Sequence, residues 1–138
     1  MMSEITIEPV GPAEQEVLDK WLDDAARWNI DVTDVRSIDR AYESYVDDVL
    51  DQDEDEREDP TPFVAMLGFA LGQWLTLESV LEWRVITDAD GRDLGLSLPD
   101  ESSIMFPSDF IADAWNEMRR DWLNGWATDL RNQLEALR

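Results

Sequence analysis

The sequence predicts an α+β fold: an N-terminal helical pair, a central buried helix, a three-stranded antiparallel meander and a long C-terminal helix. Three observations lead there. Apolar residues recur at helical spacing through the first fifty positions. A stretch that is apolar nearly all round, Phe63 to about Val80, follows a dense acidic run, and a helix without a polar face is normally a buried one. The period then drops to two between Trp83 and Phe106, as in strands with one buried face. At 138 residues the chain is expected to be a single domain, 1–138.

Each element has a local cause. Ile5 and Ile7 alternate, which suits a short edge strand or an extended arm. Gly11-Pro12 opens the first helix, because proline fits the first helical position. Val17, Leu18, Trp21, Leu22 and Ala25 then share one face. Asp34 is placed to cap a second helix, whose stripe is Ile38, Ala41, Tyr42, Tyr45, Val46, Val49 and Leu50. Seven acids and one arginine between Asp51 and Pro62 cannot pay for burial, so residues 51–61 read as a solvated, mobile loop. Thr61-Pro62 reads as the N-cap and first residue of the central helix. Within that helix Gly68 and Gly72 lie on one face and predict close packing by a neighbour.

Trp83, Val85 and Thr87 alternate with Arg84 and Ile86. Leu94, Leu96 and Leu98 alternate with Gly95 and Ser97, and Ile104 with Phe106 form the third strand. Pro107 ends the sheet, and Ser108 or Asp109 caps the last helix. Ile111, Trp115, Met118 and Trp122 run in register along it, with Asn124-Gly125 as the expected break. Trp74, Trp83 and Trp115 are expected to be buried around the Gly68/Gly72 face.

Three stretches together, "LGFALGQWL" (67–75), "LEWRVITDADGRDLGL" (81–96) and "MFPSDFIADAW" (105–115), resemble the bacterial domain of unknown function 3806 family. The resemblance spans about residues 62–123 and implies a family-like core there. It rests on a glycine-paired helix, a Trp-x-Val strand, an Asp-x-x-Gly turn, an apolar strand and a proline before a tryptophan-bearing helix. Where relatives tend to carry Lys-Arg before that tryptophan, this chain has Asp113-Ala114, so a role for the basic pair does not carry over. The family brings no established activity. The resemblance therefore implies a fold and not a function.

Composition narrows the chemistry. Histidine and cysteine are absent, which removes a hydrolytic triad, an imidazole-bound zinc site, a thiol nucleophile and a disulfide framework. The 33 acids against 11 bases give a formal net charge of -22. A chain so charged lacks the basic stripe that phosphate backbones and anionic membranes require, so neither nucleic acid nor membrane is an expected partner. Cations and basic proteins remain attractive to it. No basic, apolar leader is visible at the start, and a cytoplasmic location is expected.

The densest loop is Asp88-Ala-Asp-Gly-Arg-Asp93. Counted from Asp88 as a calcium loop, glycine comes at the fourth position and Pro99 stands where the closing glutamate belongs, so the spacing is wrong. Asp-Gly between alternating apolar runs is instead a hairpin signal, with Gly91 supplying positive φ. No metal, cofactor or catalytic residue is assigned. Gly68, Gly72, Trp74, Trp83, Gly91, Pro107 and Trp115 read as structural. The acids Asp51, Asp53, Glu54, Asp55, Glu56, Glu58 and Asp59 form the densest charged patch and are the candidate partner-binding residues. Trp28 and Trp126, near segment ends, are candidates for exposed aromatic anchors. The leading reading is a non-enzymatic binding or regulatory domain that engages a basic protein partner. The alternatives are an enzyme working with carboxylates and a divalent cation, or a purely structural accessory domain.

Overall fold

A computed structural model describes residues 4–137. The order is β1 (Thr6–Pro9), α1 (Pro12–Arg27), α2 (Val35–Leu50), α3 (Thr61–Glu78), β2 (Glu82–Asp88), β3 (Gly91–Ser97), β4 (Ile104–Met105), α4 (Pro107–Asn116) and α5 (Leu123–Glu135). The four strands form one antiparallel sheet in the order β1-β2-β3-β4. The α+β class holds, with two corrections to the expected layout. The meander gains a fourth strand, because Thr6–Pro9 pairs along β2 from Thr6↔Thr87 to Pro9↔Arg84. The expected long C-terminal helix is two helices.

Helix α3 is the hub and packs on α1, α2, α4 and β2. It has no polar stripe because neighbours cover most of its circumference: Leu67, Ala70, Leu71 and Leu75 are wholly buried, and Leu77 near its end stays exposed. Its start lies one residue earlier than the caps suggest. Pro60 is the N-cap, and the Asp59 carboxylate accepts from both the Thr61 N–H and hydroxyl. The same Asp-x-Thr/Ser turn recurs at Asp31–Thr33 and Asp100–Ser102, each time closing a loop with a side-chain oxygen. At α2 the cap is the expected one: Asp34 accepts from the Arg36 N–H.

The glycine pair sets how α4 and the sheet meet α3. A Cβ on Gly68 would lie 2.6 Å from Ser108 Cβ and 2.8 Å from its Cα. A Cβ on Gly72 would lie 2.4 Å from the tip of the Trp83 ring and 3.2 Å from Pro107. Trp83 alone of the three expected tryptophans meets this face, and it is half-buried. Its indole N–H donates to Gln73 at 3.0 Å. Trp74, two positions beyond Gly72 and so about 200° round the helix, lies under Arg131 of α5. Trp115 is buried against Tyr45 of α2.

Both sheet faces carry apolar cover, where one was expected. Trp83, Val85, Leu94 and Leu96 share the α3 side by register. On the other side Ile86 is fully buried, because Phe106 folds back over Gly95 and leaves no room there for a Cβ. Phe106 is therefore a cover and the N-cap position of α4, not a third residue of the last strand. Helix α4 correspondingly starts at Pro107, ahead of the expected caps Ser108 and Asp109.

At the β2–β3 hairpin Ala89 and Asp90 make the turn and Gly91 takes φ 128°, in open space. Glycine is needed there for its backbone, not for its small size. Gly91→Val is expected to cost about 1–3 kcal/mol through backbone strain alone. The check is urea denaturation, with an unchanged midpoint removing the turn's demand for glycine.

The break between α4 and α5 falls at residues 117–122 rather than at Asn124-Gly125, which lie inside α5. Met118 and Asp121 take φ 49° and 54°. Helix α2 holds this segment. The Tyr42 hydroxyl donates to the Arg119 carbonyl at 2.8 Å. Arg120 reaches Glu43 and Asp47, each at 2.7 Å, and the Asp121 N–H donates to Glu43. Among the described residues, no helix is long and apolar enough to cross a membrane.

Candidate functional site

The acidic connection between α2 and α3 carries a 3₁₀ segment, Glu54–Glu56, at its middle. Asp51, Asp53, Glu54, Asp55, Glu56, Glu58 and Asp59 are all exposed. Among the described residues no ion pair reaches this segment; the arginines that pair elsewhere neutralise Glu14, Asp24, Asp34, Glu43, Asp47, Glu82 and Glu117 instead. The connection thus presents its charge to solvent.

Its C-terminal end borders a groove of about 390 Å³ between α1 and the start of α3. Trp21 of α1 and Trp28, the residue that caps that helix, line it together with Tyr45 of α2 and Phe63 of α3. Tyr45 stacks on Phe63 with centroids 3.8 Å apart, and Trp28 leans on Phe63 at 4.9 Å. Trp21 stacks on Phe69 at 5.6 Å. Trp28 nevertheless remains 46% exposed. Asp24, Glu58 and Asp59, with Arg27, supply the charged lining. Burial pushes the Tyr45 hydroxyl above the ordinary phenol range, and the nearby charges of Glu58 and Asp59 push it further the same way. The Thr61 hydrogen bonds hold Asp59 below the ordinary carboxylate range, so it stays charged.

Only two of the seven acids singled out from sequence, Glu58 and Asp59, border this groove. Sequence reasoning did not assemble the aromatic wall, because its members come from three helices. Trp28 and Trp126 do not form one anchor: Trp126 is half-buried against Phe110 and Trp122. At the hairpin, Asp88, Asp90, Asp93 and Asp109 line a separate shallow hollow. Among the described residues no three carboxylates converge closely enough to hold a metal ion together.

A third acidic cluster is structural. Asp39 is half-buried on α2, its Oδ1 has no hydrogen-bond partner, and Glu43 and Asp121 lie nearby. Burial raises its carboxyl above the ordinary value of 3.8, and the two neighbouring charges add to this. The folded state therefore holds the proton more tightly than the unfolded state. Stability contributed by the protonated form is lost as pH rises through the window above 3.8. Asp39→Asn is expected to raise the melting temperature at pH 7 and to leave it unchanged below pH 3, which scanning calorimetry at both pH values would check.

The model of a family described as Domain of unknown function (DUF3806) matches residues 43–124, well over half of the chain. The chain belongs to the DUF3806 family. The matched span starts in mid-α2 at Glu43, earlier than the expected core at 62, and so takes in the acidic connection. It ends as α5 begins, just after the segment that Tyr42, Glu43 and Asp47 hold in place. Of the groove, the DUF3806 span contains Tyr45, Glu58, Asp59 and Phe63, while Trp21 and Asp24 of α1 and Trp28 at its C-cap lie outside it. Searches of curated proteins and of solved structures found no match to this chain.

Proposed function

We propose that this protein is a binding domain whose partner is a basic protein, engaged through the acidic connection between α2 and α3. One observation carries the reading. The most concentrated acids in a chain of net charge -22 stand on an exposed turn, where seven acids face one arginine, Arg57, and among the described residues none of the seven is held in an ion pair. Surface charge spread evenly serves solubility, but charge gathered beside an exposed aromatic groove favours association. Such a patch acts first on the encounter: it raises the on-rate at low salt and loses that effect as ionic strength rises.

The test is affinity capture from the native host, with the intact chain and with the seven acids of residues 51–59 replaced by Asn or Ser. Six of the replacements fall on exposed side chains and should each change stability by less than about 0.5 kcal/mol, while the seventh, at Asp59, also disturbs the hydrogen bonds to Thr61 and should cost about 0.5–2 kcal/mol. The partner should associate with the replaced chain about 10-fold or more slowly at low salt. A partner retained with unchanged association rates at every salt concentration would sink the reading.

A further inference from the structure

Resting on that partner-binding reading, we infer that the groove between Trp21 and Trp28 is a receptor for an arginine side chain of the partner, stacked on the indoles and paired with Glu58 and Asp59. The groove joins the two kinds of group that recognise a guanidinium. Aromatic faces attract a cation through the ring quadrupole, and carboxylates accept from its planar fork of N–H donors. Here the aromatic wall and the acids come from separate elements and meet in one concavity of about 390 Å³. That is at the lower end of the range for small-ligand sites, about 300–1,000 Å³.

The aromatic wall is preorganised. Phe63 and Tyr45 are stacked on each other and support Trp28, and Phe69 supports Trp21. Trp28 stays largely open on its outer side, as a contact surface awaiting a guest requires. The acids are in place too. Asp59 is fixed by Thr61 through one oxygen, which leaves the other for a guest. Among the described residues, the cation that lines the groove is Arg27, which reaches Asp24 at 3.5 Å but keeps its side chain 80% exposed.

Two observations favour arginine over lysine. The molecule already sets arginine over tryptophan twice, Arg119 at 5.9 Å from the Trp122 ring and Arg131 at 5.8 Å from Trp74. The chain itself carries a single lysine, Lys20, among its 11 bases, so its own internal cation contacts are made with arginine. Guanidinium is also more weakly hydrated than ammonium and stacks where ammonium does not.

The experiment is a titration of the full ¹⁵N-labelled chain, following the indole N–H signals of its seven tryptophans. The probes are N-acetyl-arginine amide, N-acetyl-lysine amide and the uncharged citrulline analogue. Arginine amide is expected to shift the Trp21 and Trp28 signals saturably, in the millimolar range, and to leave buried Trp74 unmoved. Lysine amide should bind several-fold more weakly and citrulline amide not at all. Trp28→Ala is expected to weaken the arginine probe about fivefold or more. Because Trp28 supports Phe63, a second variant, Glu58→Gln, touches an exposed side chain, leaves the Asp59–Thr61 turn intact and should also weaken it. Equal binding of arginine and citrulline, shifts spread without saturation over the acidic surface, or binding untouched by both variants would overturn the inference. The two proposals also separate. A groove that takes arginine while capture yields no basic protein supports the receptor and sinks the partner. A captured basic partner indifferent to Trp28→Ala, with a groove that takes no arginine, does the reverse.

Discussion

Trp74→Ala is expected to cost about 3–5 kcal/mol of folding stability. Trp74 is 2% exposed, sits on the central helix and packs beneath Arg131 of α5. Its removal leaves a large void that α3, held from four sides, cannot close. A domain of this size is stable by roughly 5–15 kcal/mol, so the loss takes about a fifth of the total at the least and lowers the melting temperature by about 10 °C or more. Trp83→Ala should cost less, because Trp83 is only half-buried, although it also strips Gln73 of its indole partner. Trp28→Ala should cost least of the three. Urea denaturation of the three variants checks the order, and a Trp74 midpoint no lower than that of Trp28 would refute this account of the core.

Gly68→Val is expected to be the most disruptive small change, at about 3 kcal/mol or more by overpacking. The first atom of any side chain there would meet Ser108, including its backbone N at 2.9 Å, so the start of α4 would have to move. Alanine gains about 1 kcal/mol over glycine in an open helix position. At Gly68 that gain is overridden by the contact. Gly125, inside α5 with nothing within 4 Å of its Cβ position, is the control: Gly125→Ala should stabilise by about 1 kcal/mol. Opposite signs at the two glycines, measured by equilibrium denaturation, are the expected result. A stabilising Gly68→Ala would show that α4 does not sit where the glycine face requires.

The candidate site was legible in part. The acids of residues 51–59 stand out by composition, and their exposure follows from charge alone. The aromatic groove beside them was not legible. Trp21 and Trp28 read as one core residue and one helix-end residue, and nothing in their spacing places Tyr45 and Phe63 against them. Distant residues meet only when helices dock, and docking is a property of three dimensions.

The sequence by itself determined the element types and most of their starts. Periodicity marks the helices and strands, Asp34 and Pro12 mark two helix starts, and the α3 run with no polar face marks the buried centre. These signals act within a few residues, through backbone geometry and burial of a local stripe. Only the tertiary structure decided the rest. Ile5 and Ile7 leave open whether the arm is a strand, and it becomes one because β2 offers Arg84 to Thr87 as an unpaired edge. Ile86 reads as an outward residue until Phe106 folds over Gly95 and covers it. The last helix reads as continuous through Met118 and Trp122, with its weak point at Asn124-Gly125. It breaks earlier because Tyr42, Glu43 and Asp47, more than seventy positions away in the chain, claim the backbone and side chains of Arg119 to Asp121. Those hydrogen bonds and ion pairs, together with the docking of α5 on α2, outweigh the left-handed turns at Met118 and Asp121 that they require.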